Sequence, residues 1–133
     1  MHVREMISSH PDVVGSTADA LLACIEACYD CAQTCTSCAD ACVAEGTVVE
    51  LRQCIRLNLD CADICLATGA MASRRTGSNR EVLRAVIEAC ADACRICGEE
   101  CERHAEMHEH CRVCGETCRR CEDACNQALP QVH

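Results

Sequence analysis

Six cysteines, Cys24, Cys28, Cys31, Cys35, Cys38 and Cys42, follow one another at intervals of 4, 3, 4, 3 and 4 residues. No other feature of the chain restricts its fold as tightly. At about 100° per residue, steps of four and three turn a helical side chain by small opposite angles, so the six thiols share one narrow stripe. That stripe runs roughly 27 Å along the helix at 1.5 Å per residue. Cys90, Cys94, Cys97 and Cys101 repeat the pattern, as do Cys111, Cys114, Cys118, Cys121 and Cys125, while Cys54, Cys61 and Cys65 form a sparser series. Four such stripes predict an all-α fold, an antiparallel up-and-down four-helix bundle in which thiols stand where Leu and Ile normally pack. Nothing in the chain alternates as a strand would.

Residues 1–133 are expected to form a single four-helix-bundle domain. The periodicity places helices at about 17–44, 48–73, 79–106 and 108–128. Ser16 is placed to cap the first helix, and Gly46 to stop it in the left-handed conformation. Thr47-Val48-Val49-Glu50 and Ser78-Asn79-Arg80-Glu81 both have the capping-box form. Pro130 should end the last helix. The turn near Met107–Glu109 has no Gly or Pro, and its position follows from the need of the fourth helix to fold back onto the others. The first ten or so residues read as a short N-terminal arm or helix.

Leu, Ile, Val and Phe together number only 24, too few to build an ordinary core. The interior must therefore be filled by the 18 Cys and 19 Ala. Cysteine at inward positions adds an oxidation liability and no packing gain over Ala or Val, so the pattern predicts chemistry. A net charge of -9 with no Trp or Phe lacks the basic and stacking surfaces that nucleic acids require. No stretch approaches the roughly 18 uninterrupted apolar residues of a membrane span, and the first residues hold no run of signal-peptide length. The expected location is the cytoplasm, where thiols are kept reduced.

Soft thiolates suit Cu(I), Zn(II) or iron–sulfur clusters. Four zinc sites of four cysteines each would leave a charge of about -8 in the core. Cu(I) ions on bridging thiolates, roughly one ion per cysteine, leave it neutral. Iron–sulfur sites usually draw on a C-x2-C-x2-C-x3-C run that is missing here. No Glu is followed by His three residues later, which removes the di-iron class of bundle. Disulfides within a helix are disfavoured, since neighbours at about 5–6 Å between Cβ atoms exceed the 3.8 Å a disulfide needs, although bridges between helices remain open. The expectation is multiple Cu(I) ions. A zinc or mixed-metal thiolate buffer and a disulfide-stapled structural protein stand as alternatives. No nucleophile, base and orienting group stand apart from the stripes, so an enzyme is not expected.

The up-and-down topology gathers Cys42, Cys54, Cys101, Cys111, His104, Met107, His108 and His110 at one end, read as the mouth. His104 extends the third stripe three residues beyond Cys101 and joins the eighteen cysteines as an expected ligand. Met107, His108 and His110 are auxiliary candidates. Asn58 occupies the slot between Cys54 and Cys61 and should point inward, either as a weak oxygen ligand or as a hydrogen-bonding spacer. Leu21, Leu83, Ile87 and Leu129 should plug the opposite end. Copper would be accepted at the His104 end and exchanged between thiolates toward Cys24, Cys90 and Cys125, with a copper chaperone or recipient protein as its carrier.

The inward C-x3-C pairs Cys24/Cys28, Cys31/Cys35, Cys38/Cys42, Cys61/Cys65, Cys90/Cys94, Cys97/Cys101, Cys114/Cys118 and Cys121/Cys125 make the chain resemble the bacterial copper storage protein family from about Thr17 to Leu129. The resemblance implies storage of many Cu(I) ions in a homotetramer. That family has exported and cytosolic branches, and the chain is similar to the cytosolic one.

Overall fold

The computed structural model describes residues 1–133. It contains α1 (Val3–Ser8), α2 (Asp19–Ala44), a 3-10 turn at Val48–Leu51, α3 (Arg52–Ser73), α4 (Arg80–His104), α5 (Glu109–Ala128) and a final 3-10 turn at Leu129–Gln131. The four long helices form an antiparallel up-and-down bundle in which α2 and α4 each pack against both α3 and α5. Heptad spacing turns every thiol inward. All eighteen cysteines are at most 2% exposed, and Ala32, Ala62, Ala72, Ala91 and Ala128 fill the gaps between the stripes. The small side chains let the helices approach closely. At Gly69 a Cβ would lie 3.1 Å from two ring atoms of Tyr29, so a side chain there would require the ring to shift by a few tenths of an ångström.

The helix ends differ from the sequence reading. Ser16, Thr47 and Ser78 make no capping bonds; the residues at the N-caps of α2 and α4 are Ala18 and Asn79, and neither uses its side chain. Packing of the thiol face, rather than local capping, holds these ends. Gly46 does not stop α2. Only Gly15 and Gly77 have positive φ, and the chain leaves α2 through Glu45 in an extended conformation (φ -75°, ψ 146°), its N–H bonded to the Cys42 carbonyl. Pro130 lies within the last 3-10 turn, where its missing N–H is not needed.

The plugged end holds more hydrocarbon than the four expected residues. Leu21 and Ile87 are buried there and Leu83 and Leu129 half-buried, joined by Leu22, Ile25 and, from α1, Ile7. Arg4 ties α1 to α2 through Glu26 at 2.7 Å and Asp19 at 3.6 Å. Arg84 donates to the Leu129 carbonyl at 3.0 Å, fastening the C-terminal turn to α4. No helix is long and apolar enough to cross a membrane.

Candidate metal centre

The four stripes meet as a column of sulfur atoms at van der Waals separations. At the plugged end Cys24 lies 3.8 Å from Cys125. Cys28 contacts Cys90 and Cys121 at 3.9 Å, and Cys65 lies 3.7 Å from both Cys90 and Cys94. Cys61 is 3.7 Å from Cys94. At mid-height Cys35 touches Cys118 at 3.6 Å and Cys31 and Cys114 at 3.7 Å. Nearer the mouth Cys54 lies 3.9 Å from Cys101. All eighteen are free thiols.

Asn58 faces inward and interrupts this column. Its Nδ2 donates to the Cys54 carbonyl at 2.8 Å, and its Oδ1 accepts from the thiols of Cys114 at 2.9 Å and Cys97 at 3.4 Å. Every polar atom of the amide is thereby satisfied in a fully buried position.

The sulfur atoms group into overlapping sets of four: Cys28, Cys90, Cys121 and Cys125; Cys31, Cys65, Cys94 and Cys121; Cys31, Cys35, Cys61 and Cys118; and Cys35, Cys97, Cys114 and Cys118. A fifth set combines Cys38, Cys42 and Cys111 with His110. A tetrahedral ion at about 2.3 Å from sulfur needs S···S edges of about 3.8 Å, which the short contacts within these sets satisfy. A single set would therefore accept a four-coordinate ion.

At the mouth the histidines sort themselves by partner. His110 Nε2 lies 2.9 Å from Glu45 Oε2, leaving Nδ1 to face Cys38 Sγ at 3.4 Å and Cys111 Sγ at 3.6 Å. His108 Nδ1 meets the same carboxylate oxygen at 2.7 Å. These bonds, that of His110 foremost, hold the Glu45 carboxyl below the usual carboxylate range. His104 Nε2 instead pairs with the buried Glu100 at 2.9 Å, and Arg103 caps the other oxygen of that carboxylate. Met107 is 76% exposed. The histidine brought onto the thiols is thus His110, whereas the stripe argument put His104 forward. Glu45 went unnoticed because it follows a helix end and meets its partner 65 residues away; no local motif marks it.

Neighbouring thiols are driven in opposite directions. Cys24 is lowered to about 5, first by its hydrogen bond with Cys125, while Cys125 is raised, first through Cys121. At the mouth Cys111 is lowered, first by Cys38, and burial pushes Cys42 up to about 11. A buried thiolate is stabilised by S–H donors around it, so those neighbours must keep their protons. Without cations only part of the column can ionise.

Fold and site together define a class: a helical bundle whose interior is a column of reduced thiols. The profile of the copper storage protein family matches residues 17–130. The chain is 53% identical to the copper storage protein Ccsp of Streptomyces lividans loaded with 10 copper equivalents, covering 96% of this chain and 98% of that one with a TM-score of 0.92. A structure of the cytosolic copper storage protein from the same organism with five coppers is 58% identical over 84% of this chain and 93% of that one, TM-score 0.82. Apo copper storage protein 3 of Bacillus subtilis is 33% identical over 84% of this chain and 97% of that one, TM-score 0.68. Among curated protein sequences no match is found. The chain belongs to the copper storage protein family.

Proposed function

We propose that this chain stores Cu(I) on its core thiols, holding on the order of one ion per cysteine and so keeping copper from other sites in the cell. The overlap of the four-sulfur sets carries this reading. Cys31, Cys35, Cys118 and Cys121 each belong to two of the four all-cysteine sets described above. No more than two of those sets could hold zinc without sharing a thiolate, and each such site would carry two net negative charges into the core. Cu(I) bridged from thiolate to thiolate uses the shared sulfurs as they stand, and one positive ion per thiolate leaves the column neutral. The zinc reading keeps some support from the edge lengths of a single set, and the disulfide reading conflicts with eighteen free thiols.

Cu(I) is taken up beside Cys38, Cys42, Cys111 and His110, where an imidazole lone pair and three thiols converge. His104, its Nε2 engaged by Glu100, keeps Nδ1 for an arriving ion, and the exposed Met107 thioether is a further soft donor. Exchange then proceeds past Asn58 toward Cys24, Cys90 and Cys125. As thiol protons leave, Asn58 Oδ1 loses its donors, and an ion held by Cys97, Cys101 or Cys114 becomes its partner. Storage of this kind involves no turnover. The cytosolic description of a relative supports a cytoplasmic location. Exposed Leu59 and Leu66, one heptad apart on α3, support assembly with further copies, a homotetramer in our reading.

The test is anaerobic titration of the reduced chain with Cu(I) against a competing chelator, followed by circular dichroism. Saturation near one ion per cysteine with unchanged helicity is expected. Saturation at a few ions, or helicity that forms only with metal, would overturn the storage reading.

A further inference from the structure

One carboxylate oxygen at the mouth receives two imidazoles. We propose that Glu45 is a positioning residue that fixes opposite tautomers of His108 and His110, keeping the Nδ1 lone pair of His110 aimed at Cys38 and Cys111. The proposal rests on the reading that Cu(I) is taken up beside those thiols.

Glu45 Oε2 lies 2.7 Å from His108 Nδ1 and 2.9 Å from His110 Nε2. An ionised carboxylate only accepts, so both of those nitrogens carry hydrogen. The lone pair of neutral His110 is then on Nδ1, the atom 3.4 Å from Cys38 and 3.6 Å from Cys111. The lone pair of neutral His108 is on Nε2. A half-turn of the His110 ring about Cβ–Cγ would break the Glu45 bond and carry Nδ1 away from the thiols, so the carboxylate holds orientation as well as tautomer. The two rings stack with centroids 5.5 Å apart and planes at 22°, which makes them one unit on one anchor. Glu45 reaches that anchor position because the chain turns extended immediately after Ala44. A left-handed glycine stop at this point would have supplied no carboxylate.

A carboxylate on the far nitrogen of a metal-binding histidine orients the ring and raises its basicity, and losing such a partner typically costs 10- to 100-fold in affinity or activity. The experiment compares the full chain with Glu45→Ala and Glu45→Gln. Imidazole nitrogen NMR of the metal-free protein at about pH 8, where an ordinary histidine is neutral, should show Nε2–H on His110 and Nδ1–H on His108. The second is the tautomer that a free histidine side chain populates less. Glu45→Ala should return His108 to Nε2–H and slow uptake of the first Cu(I) from a chelator about tenfold, with final capacity and helicity unchanged. Glu45→Gln, whose carbonyl oxygen still accepts two N–H groups, should recover both the tautomers and most of the rate. Glu45→Ala with wild-type tautomers or a wild-type rate overturns the proposal. So does a Gln variant as slow as the Ala variant, since the carboxylate would then act only through its charge. Wild-type protein that takes no Cu(I) onto its thiols defeats the storage reading instead, and the tautomer measurement still decides the role of Glu45.

Discussion

Asn58→Cys extends the α3 series to the 4-3-4 spacing that α2 displays, and its consequences for the free and the loaded protein have opposite signs. In the free protein the amide makes two short hydrogen bonds, to the Cys54 carbonyl at 2.8 Å and from Cys114 at 2.9 Å. Its four other contacts are with sulfur at 3.3 to 3.8 Å. At roughly 1 kcal/mol per short bond, with the sulfur contacts largely replaced by the new thiol, the free variant should be about 2 kcal/mol less stable. For a chain of this length that lowers the melting temperature by about 8 °C. In the loaded protein the thiol protons that Oδ1 accepts are gone, and an additional thiolate stands in the column. Capacity should rise by about one ion, and the melting deficit should close. Thermal melts of free and loaded protein, paired with anaerobic Cu(I) titration, measure both. Unchanged melting of the free variant would show that the amide does not hold the metal-free core together; unchanged capacity would show that position 58 does not face the metal column.

Cu(I) displaces thiol protons, so uptake should weaken as pH falls. Cys42, pushed up to about 11 by burial, is protonated near neutrality and contributes close to a tenfold loss per pH unit at its own site, whereas the lowered Cys111 contributes none there. Cys42→Ser should therefore flatten the pH dependence of first-ion affinity in chelator competition between about pH 6 and 9; an undiminished slope refutes the assignment. Gly69→Ala drives a methyl against the Tyr29 ring at 3.1 Å and should cost about 1–3 kcal/mol in denaturant unfolding without altering copper capacity. A stabilised variant would mean that the ring moves aside freely. His110→Ala should slow first-ion uptake in stopped-flow loading and lower final capacity by no more than about one ion, while an unchanged rate would take His110 out of the uptake step.

Much of the fold was legible because a heptad of cysteines states helix, face and burial at once. The gap in the α3 series was equally readable, since position 58 falls on the stripe whatever occupies it. The helix stops were not. Ser16, Gly46, Thr47 and Ser78 carry the residue types of caps, but a helix with a fully buried face gains so much from packing that its ends need no side-chain bond, and none is made at these positions.

The mouth marks the boundary between the two kinds of information. Spacing along one helix determined that eighteen thiols face a common interior, because angular position on a helix depends only on residue number. It also determined that His104, His108 and His110 would gather at one end. Which imidazole meets the thiols was decided by its carboxylate partner: Glu100, one turn earlier on α4, draws Nε2 of His104 to itself, while Glu45, 65 residues away in the chain, takes Nε2 of His110 and frees its Nδ1 for Cys38 and Cys111. The Glu100–His104 pair lies within one helix, but the Glu45 pairing depends on the end of α2 meeting the start of α5, which no single-helix periodicity encodes.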